Sequence, residues 1–126
     1  MITGIGIDLV DIGRLKQIII KWEGHFLNRV YTPNEIRYCE RRKYSRFQTY
    51  AGFFAAKEAC AKALGTGIQE GIKWKDIEIR NDNRGKPFIC LSGLAQVSAS
   101  NKKISNIKVS ISHSEKLATA QVIMEI

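Results

Sequence analysis

The chain has 126 residues, a quarter of them charged, with a formal net charge of +8 and a pI near 9.6. That length gives one domain over residues 1–126 with a real core. No run is apolar for long enough to cross a membrane, and the basic excess calls for something acidic to bind.

The start, Met1-Ile2-Thr3-Gly4, lacks the basic and apolar pattern of a signal peptide. Cys39, Cys60 and Cys90 are odd in number and widely spaced, as expected of reduced thiols in a cytoplasmic protein. There is no internal repeat, low-complexity tract or Pro/Ser-rich linker.

Residues 2–10 alternate, with Ile5, Ile7 and Leu9 on one face and Gly4, Gly6 and Asp8 on the other, the period of a strand. Glycine weakens a strand and marks the close approach of another backbone or a ligand, and here the bare face leads to a carboxylate. Asp8 either ends the strand and caps the next helix or is held for a purpose. Gly4 and Gly6 are not a dinucleotide fingerprint, because the third glycine is missing.

From Asp11, the positions Ile12, Leu15, Ile19 and Trp22 follow helical spacing, while Arg14, Lys16, Gln17 and Lys21 occupy other faces. Thr32-Pro33-Asn34-Glu35 opens a second helix with an N-cap, a proline in the first turn and a capping-box glutamate, which accounts for Glu35 structurally. That helix runs into a positive cluster from Arg37 to Arg46, suited either to phosphate or to water.

Residues 52–67 read as a helix of good formers closed by Leu64-Gly65-Thr66-Gly67. Ala56, Cys60, Ala63 and Leu64 share its core side, with Phe53 at the margin. Glu58 and Lys62, four residues apart, stack on the other side beside Phe54, Ala55 and Ala61. They are either a simple intrahelical ion pair or a carboxylate and an ammonium aimed at a ligand.

Residues 74–80 and 88–91 form two strands around a turn at Asn81-Asp82-Asn83-Arg84-Gly85-Lys86-Pro87. Ser92 caps a short helix to about Ser100. Residues 107–112 and 117–126 make a hairpin, with Ala118, Ala120, Val122, Met124 and Ile126 on one face and Ser112-His113-Ser114-Glu115-Lys116 at the tip. Hairpins interleaved irregularly with helices predict an α+β domain of antiparallel strands around a long central helix.

Three blocks in register, Gly4-Ile5-Gly6-Ile7-Asp8, Phe53-Phe54-Ala55-Ala56-Lys57-Glu58-Ala59 through Gly67, and Val109-Ser110-Ile111-Ser112-His113, resemble the signatures of the holo-acyl-carrier-protein synthase family. These are small bacterial 4'-phosphopantetheinyl transferases, and the likeness runs end to end.

The resemblance implies transfer of 4'-phosphopantetheine from coenzyme A to a serine of apo-acyl carrier protein, in support of fatty acid biosynthesis. It also implies a homotrimer with sites between subunits. Mg²⁺ is held by Asp8 and Glu58, which with Lys62 form the catalytic set; Lys62 steadies the pyrophosphate, and Glu58, Asp8 or a metal-held water accepts the serine proton. Lys62, Gly65, Lys86, Pro87, Ser112, His113 and Ser114 line the coenzyme A site. Arg14, Lys21 and Arg29 meet the acidic carrier protein, which accounts for the basic excess better than nucleic acid does, since the 37–46 cluster follows no recognised nucleic-acid motif. Many family members carry an arginine where this chain has Phe53, so either Arg42, Lys43 or Arg46 takes over its phosphate contact or coenzyme A is held less tightly.

Overall fold

The computed structural model describes residues 1–69 and 71–126. In chain order it contains β1 (Ile2–Asp11), α1 (Ile12–Val30), α2 (Pro33–Arg41), α3 (Arg46–Leu64), β2 (Ile77–Asn81), β3 (Pro87–Leu91), α4 (Gly93–Asn101), β4 (Asn106–His113) and β5 (Leu117–Glu125). Short 3₁₀ turns cover Lys43–Ser45 and Trp74–Asp76. One antiparallel sheet has the order β1-β5-β4, and β2 and β3 form a separate hairpin. The α+β expectation stands.

β1 crosses directly over α3. A Cβ on Gly6 would overlap the carbonyl oxygen of Ala59, and one on Gly4 that of Ala63. The bare face of the strand is therefore filled by helix backbone, and only glycine permits so close a crossing. The alternate face points out: Ile5 and Ile7 are each 61% exposed and Leu9 63%. Asp8 lies within the strand, opposite Ala120 of β5. Asp11 ends β1 and caps α1, accepting from the Arg14 N–H at 3.1 Å, so the capping alternative for Asp8 falls away.

α3 begins at Arg46, six residues before the expected start at 52. It is buried on both sides, with Ala55 and Ala61 as inaccessible as Ala56 and Cys60. The expected division into a core side and a ligand side holds only at its outer edge, where Glu58 is half-buried and Lys62 exposed. Small side chains allow this: alanines let the sheet approach one flank and α1 and α2 the other.

α1 buries Ile12, Leu15 and Ile19, but Trp22, expected to follow them, is 54% exposed. The helix breaks at Glu23 (φ 37°, ψ −115°), directly after Trp22, so the regular spacing behind that expectation ends there. The capping box at Thr32 and Glu35 is present, as read. β2 starts at Ile77, because residues 74–76 are spent in a 3₁₀ turn. Ser92 stands at the N-cap of α4, although its side chain makes no capping bond. On β5, Ala118, Ala120, Val122 and Met124 are buried and Ile126 is half exposed at the chain end.

One buried feature has no counterpart in the sequence reading. Lys57 and Glu35 pair at 2.8 Å with neither side chain exposed. Lys57 also donates to the carbonyls of Trp74 and Ile77, and Glu35 accepts from the N–H groups of Ile79 and Thr32. Burial pushes the Glu35 carboxyl up and the Lys57 ammonium down, and their mutual attraction opposes both shifts. This knot ties α2, α3 and β2 together.

Candidate active site

The β1–α3 crossing creates the first part of the site. Lys62 Nζ lies 3.1 Å from Asp8 Oδ1 and donates to the Ile7 carbonyl at 2.9 Å. The lysine thus reaches across to the strand, and its ion pair is with Asp8 rather than with Glu58 one turn away. Glu58 is close enough to Asp8 to feel its charge: burial and then Asp8 push its carboxyl up, against the pull of Lys62. Two carboxylates and one ammonium converge where a strand without side chains lets a helix approach.

Gly65 caps α3 one turn beyond Lys62, at φ 89°, a left-handed conformation that glycine adopts without strain. Lys102, arriving from the end of α4, donates to the Leu64 carbonyl beside it.

The second part lies along α3 toward its N-terminus. A cleft of about 160 Å³ is lined by Tyr38 from α2 and Arg42 at its C-cap, Phe53 from α3, Asn81 and Pro87 from the β2–β3 hairpin, and His113 from β4. Phe53 is buried and stacks on Tyr38, with ring centroids 5.6 Å apart. Arg42 sits over the other part of that aromatic pair, 5.6 Å from the Tyr38 centroid, and donates to its hydroxyl at 3.4 Å. Arg46 is held by both oxygens of Glu40 at 2.9 Å.

The structure therefore gathers Asp8, Glu58, Lys62 and Gly65 at one place and Pro87 and His113 at another. Phe53 and Lys62 are separated by about 14 Å along α3, at 1.5 Å per residue. Lys86 lines a neighbouring groove with Lys108 and Phe88. Ser112 and His113 belong to β4 rather than to the hairpin tip, opposite Thr119 and Ala118. Ser114 shapes the turn, its hydroxyl accepting from the N–H groups of Lys116 and Leu117.

On α1, Arg14 and Lys21 stand two turns apart on one outer face with the exposed Ile18 between them, and Arg29 lies beyond the kink. Lys21 and Arg29 border an open groove at that kink with Trp22 and His25.

Among the described residues no three His, Cys, Asp or Glu side chains come together as a metal cluster. The pair Asp8 and Glu58 remains, an all-oxygen set whose mutual repulsion a divalent cation would relieve. Such a pair fits Mg²⁺, which keeps several waters and binds through one or two carboxylates plus substrate phosphates.

A buried helix crossed by a glycine strand, with two carboxylates and an ammonium at the crossing, is suited to hold a metal-bound phosphate. Residues 4–120 match the family model of the 4'-phosphopantetheinyl transferase superfamily, and the chain belongs to that family. Its curated relatives include holo-[acyl-carrier-protein] synthases of Syntrophus aciditrophicus, 48% identical with 99% of this chain and 97% of the relative covered, and of Alkaliphilus oremlandii, 50% identical with 98% of each covered. Among solved structures, the holo-[acyl-carrier-protein] synthase of Neisseria meningitidis superposes with a TM-score of 0.91 at 33% identity, covering 100% of both chains. That of Helicobacter pylori, in complex with coenzyme A, gives 0.83 at 37% identity, covering 96% of this chain and 99% of the other.

Proposed function

We infer that this enzyme transfers the 4'-phosphopantetheine group of coenzyme A to a serine of apo-acyl carrier protein. The products are holo-acyl carrier protein and adenosine 3',5'-bisphosphate. The observation that carries the reading to individual residues is the meeting of Lys62, Asp8 and Glu58 across the β1–α3 crossing.

The serine oxygen bonds to the β-phosphorus of coenzyme A, and the bond from that phosphorus to the bridging oxygen breaks. Lys62, half exposed at its tip, turns from Asp8 to the pyrophosphate oxygens as charge gathers on them. Asp8 and Glu58 would hold Mg²⁺, which would supply positive charge against the same oxygens. The serine proton passes to a carboxylate oxygen of Glu58 or Asp8 or to a metal-held water.

The second cleft receives the nucleotide end of coenzyme A, with Arg42 and His113 as donors to phosphate and Pro87 as an apolar wall. Its separation from Lys62 and Gly65 along α3 supports a homotrimer in which one protomer supplies the carboxylates and its neighbour the cleft. The outward Ile5, Ile7 and Leu9 on the edge strand β1 support the same assembly, since a row of exposed branched apolar side chains is stable when covered.

Arg14, Lys21 and Arg29 dock an acidic carrier protein on α1, acting on association rate more than on final affinity. Among the described residues no helix is long and apolar enough to cross a membrane. A cytoplasmic role in fatty acid synthesis goes with the transferase reading. The test is a mass spectrum of apo-acyl carrier protein incubated with the enzyme, coenzyme A and Mg²⁺. Gain of one phosphopantetheine is expected, and no gain overturns the reading.

A further inference from the structure

Asn81 ends β2 and stands opposite Pro87 in the hairpin register. Its Nδ2 donates to the Gly85 carbonyl at 3.0 Å across the turn. That bond settles the direction of the amide, since the reversed group would set Oδ1 against the Gly85 oxygen, acceptor against acceptor. Oδ1 is buried and has no hydrogen-bond partner among the described residues. A buried acceptor without a donor is unfavourable, and where it occurs in a binding cleft a ligand donor is a natural remedy.

None of the other walls donates to it: Pro87, Phe53 and Ile111 present carbon, and the polar groups of Tyr38, Arg42, Gln48, Thr49 and His113 make no hydrogen bond to Oδ1. Arg42 and His113 suit the phosphates and ribose hydroxyls of a nucleotide, all of which accept. On the nucleotide half of coenzyme A, the exocyclic amino group of adenine is the group that donates without offering a competing acceptor. At about 160 Å³ and open on one side, the cleft has room for a base, with the attached ribose and phosphate at its mouth.

We propose that Asn81 Oδ1 accepts a hydrogen bond from the adenine amino group of coenzyme A and so makes Asn81 a base-selecting residue, a role that rests on the transferase reading above. With hypoxanthine in place of adenine, a carbonyl oxygen would face Oδ1. The Asn81 amide could then satisfy it only by turning over and giving up Gly85.

Isothermal titration in Mg²⁺ compares coenzyme A with its hypoxanthine analogue. The unsubstituted enzyme is expected to bind coenzyme A about 10-fold more tightly. Asn81→Ala is expected to bind coenzyme A more weakly and to discriminate less than about 2-fold, with a melting curve to establish that it is folded. Equal binding of both ligands by the unsubstituted enzyme overturns the proposal, and that comparison needs no variant to fold. An undiminished preference in a folded Asn81→Ala overturns it as well. If neither ligand binds the unsubstituted enzyme, the coenzyme A reading itself fails and this role falls with it.

Discussion

Lys57 and Glu35 pair at 2.8 Å with no exposure on either side chain, although Lys57 is the immediate neighbour of the half-exposed Glu58. Adjacent residues on a helix point about 100° apart, so one turns into the core and the other toward the site. The ion pair holds α3 in this rotation from behind. Removing one partner leaves a buried charge, at a cost of about 3–5 kcal/mol, whereas replacing both with apolar groups is close to neutral. Lys57→Met and Glu35→Leu should each lower the urea midpoint sharply, and the double variant should recover part of the loss, the remainder reflecting the Thr32 and Ile79 N–H groups and the Ile77 carbonyl that lose their partners. A double variant as unstable as the sum of the singles would sink this account.

Glu58 should cost the protein stability in exchange for its chemistry. Its carboxyl is raised from an ordinary value near 4.5, so the folded state holds the proton more firmly than the unfolded chain does. The stability tied to that proton is fully present below the ordinary value and is lost as pH rises through the raised one. Glu58→Gln cannot lose it. The variant should match the parent in Tm at low pH, exceed it by a margin that grows across this window, and have no transferase activity. Mg²⁺ should raise the Tm of the parent alone. A constant Tm difference at all pH values would remove the claim.

Gly6→Ala tests the crossing. The new methyl group would overlap the Ala59 carbonyl, and backbone on both sides leaves no side chain free to yield. Overpacking of this kind costs about 1–3 kcal/mol. Because relief requires β1 to lift from α3, Asp8 moves away from Glu58 and Lys62, and kcat/KM should fall at least about 100-fold even where the variant is folded. Near-normal activity in a folded Gly6→Ala would show that the crossing need not be so close.

How much of this was legible in the sequence depends on which contacts were local. The Thr32 capping box, the Gly65 helix end and the β4–β5 hairpin depend on neighbouring residues, and all appear where the pattern put them, save that Ser112 and His113 extend β4 instead of forming the turn. The Gly4-Gly6 face was recognised as a place of close approach, but spacing within a strand does not say what approaches. The Glu58–Lys62 spacing was equally visible, yet Lys62 pairs with Asp8 because a distant strand lies closer to its tip than Glu58 does. Lys57 and Asn81 stayed hidden for the same reason. Nothing in an alanine-rich helix marks one lysine as buried, and an asparagine in a turn is ordinary until its oxygen is found without a partner.

The exposed face of β1 predicts assembly. Ile5 is 61% exposed and lies on the side of β1 away from Asp8. Ile5→Asp should therefore leave the protomer folded by circular dichroism, and sedimentation should give a trimer for the parent and monomers for the variant. Activity should fall with the trimer and return in part at high protein concentration. A variant that stays trimeric would place the interface elsewhere.

Arg42 should do the work that an arginine at position 53 would otherwise do. Phe53 is buried against Tyr38, and the same aromatic surface carries the Arg42 guanidinium into the cleft beside His113. Arg46 is the less suitable substitute, because both oxygens of Glu40 hold it. A charge-assisted bond to phosphate contributes about 1.5–3 kcal/mol, so Arg42→Ala should raise the KM for coenzyme A roughly 10- to 100-fold with little change in kcat. Most of that effect should vanish when 3'-dephospho-coenzyme A is the donor, since the lost contact is then missing from both enzymes. Arg46→Ala should raise KM by less. If Arg46→Ala proves the more damaging, Glu40 releases its arginine when coenzyme A binds, and Arg42 merely braces Tyr38.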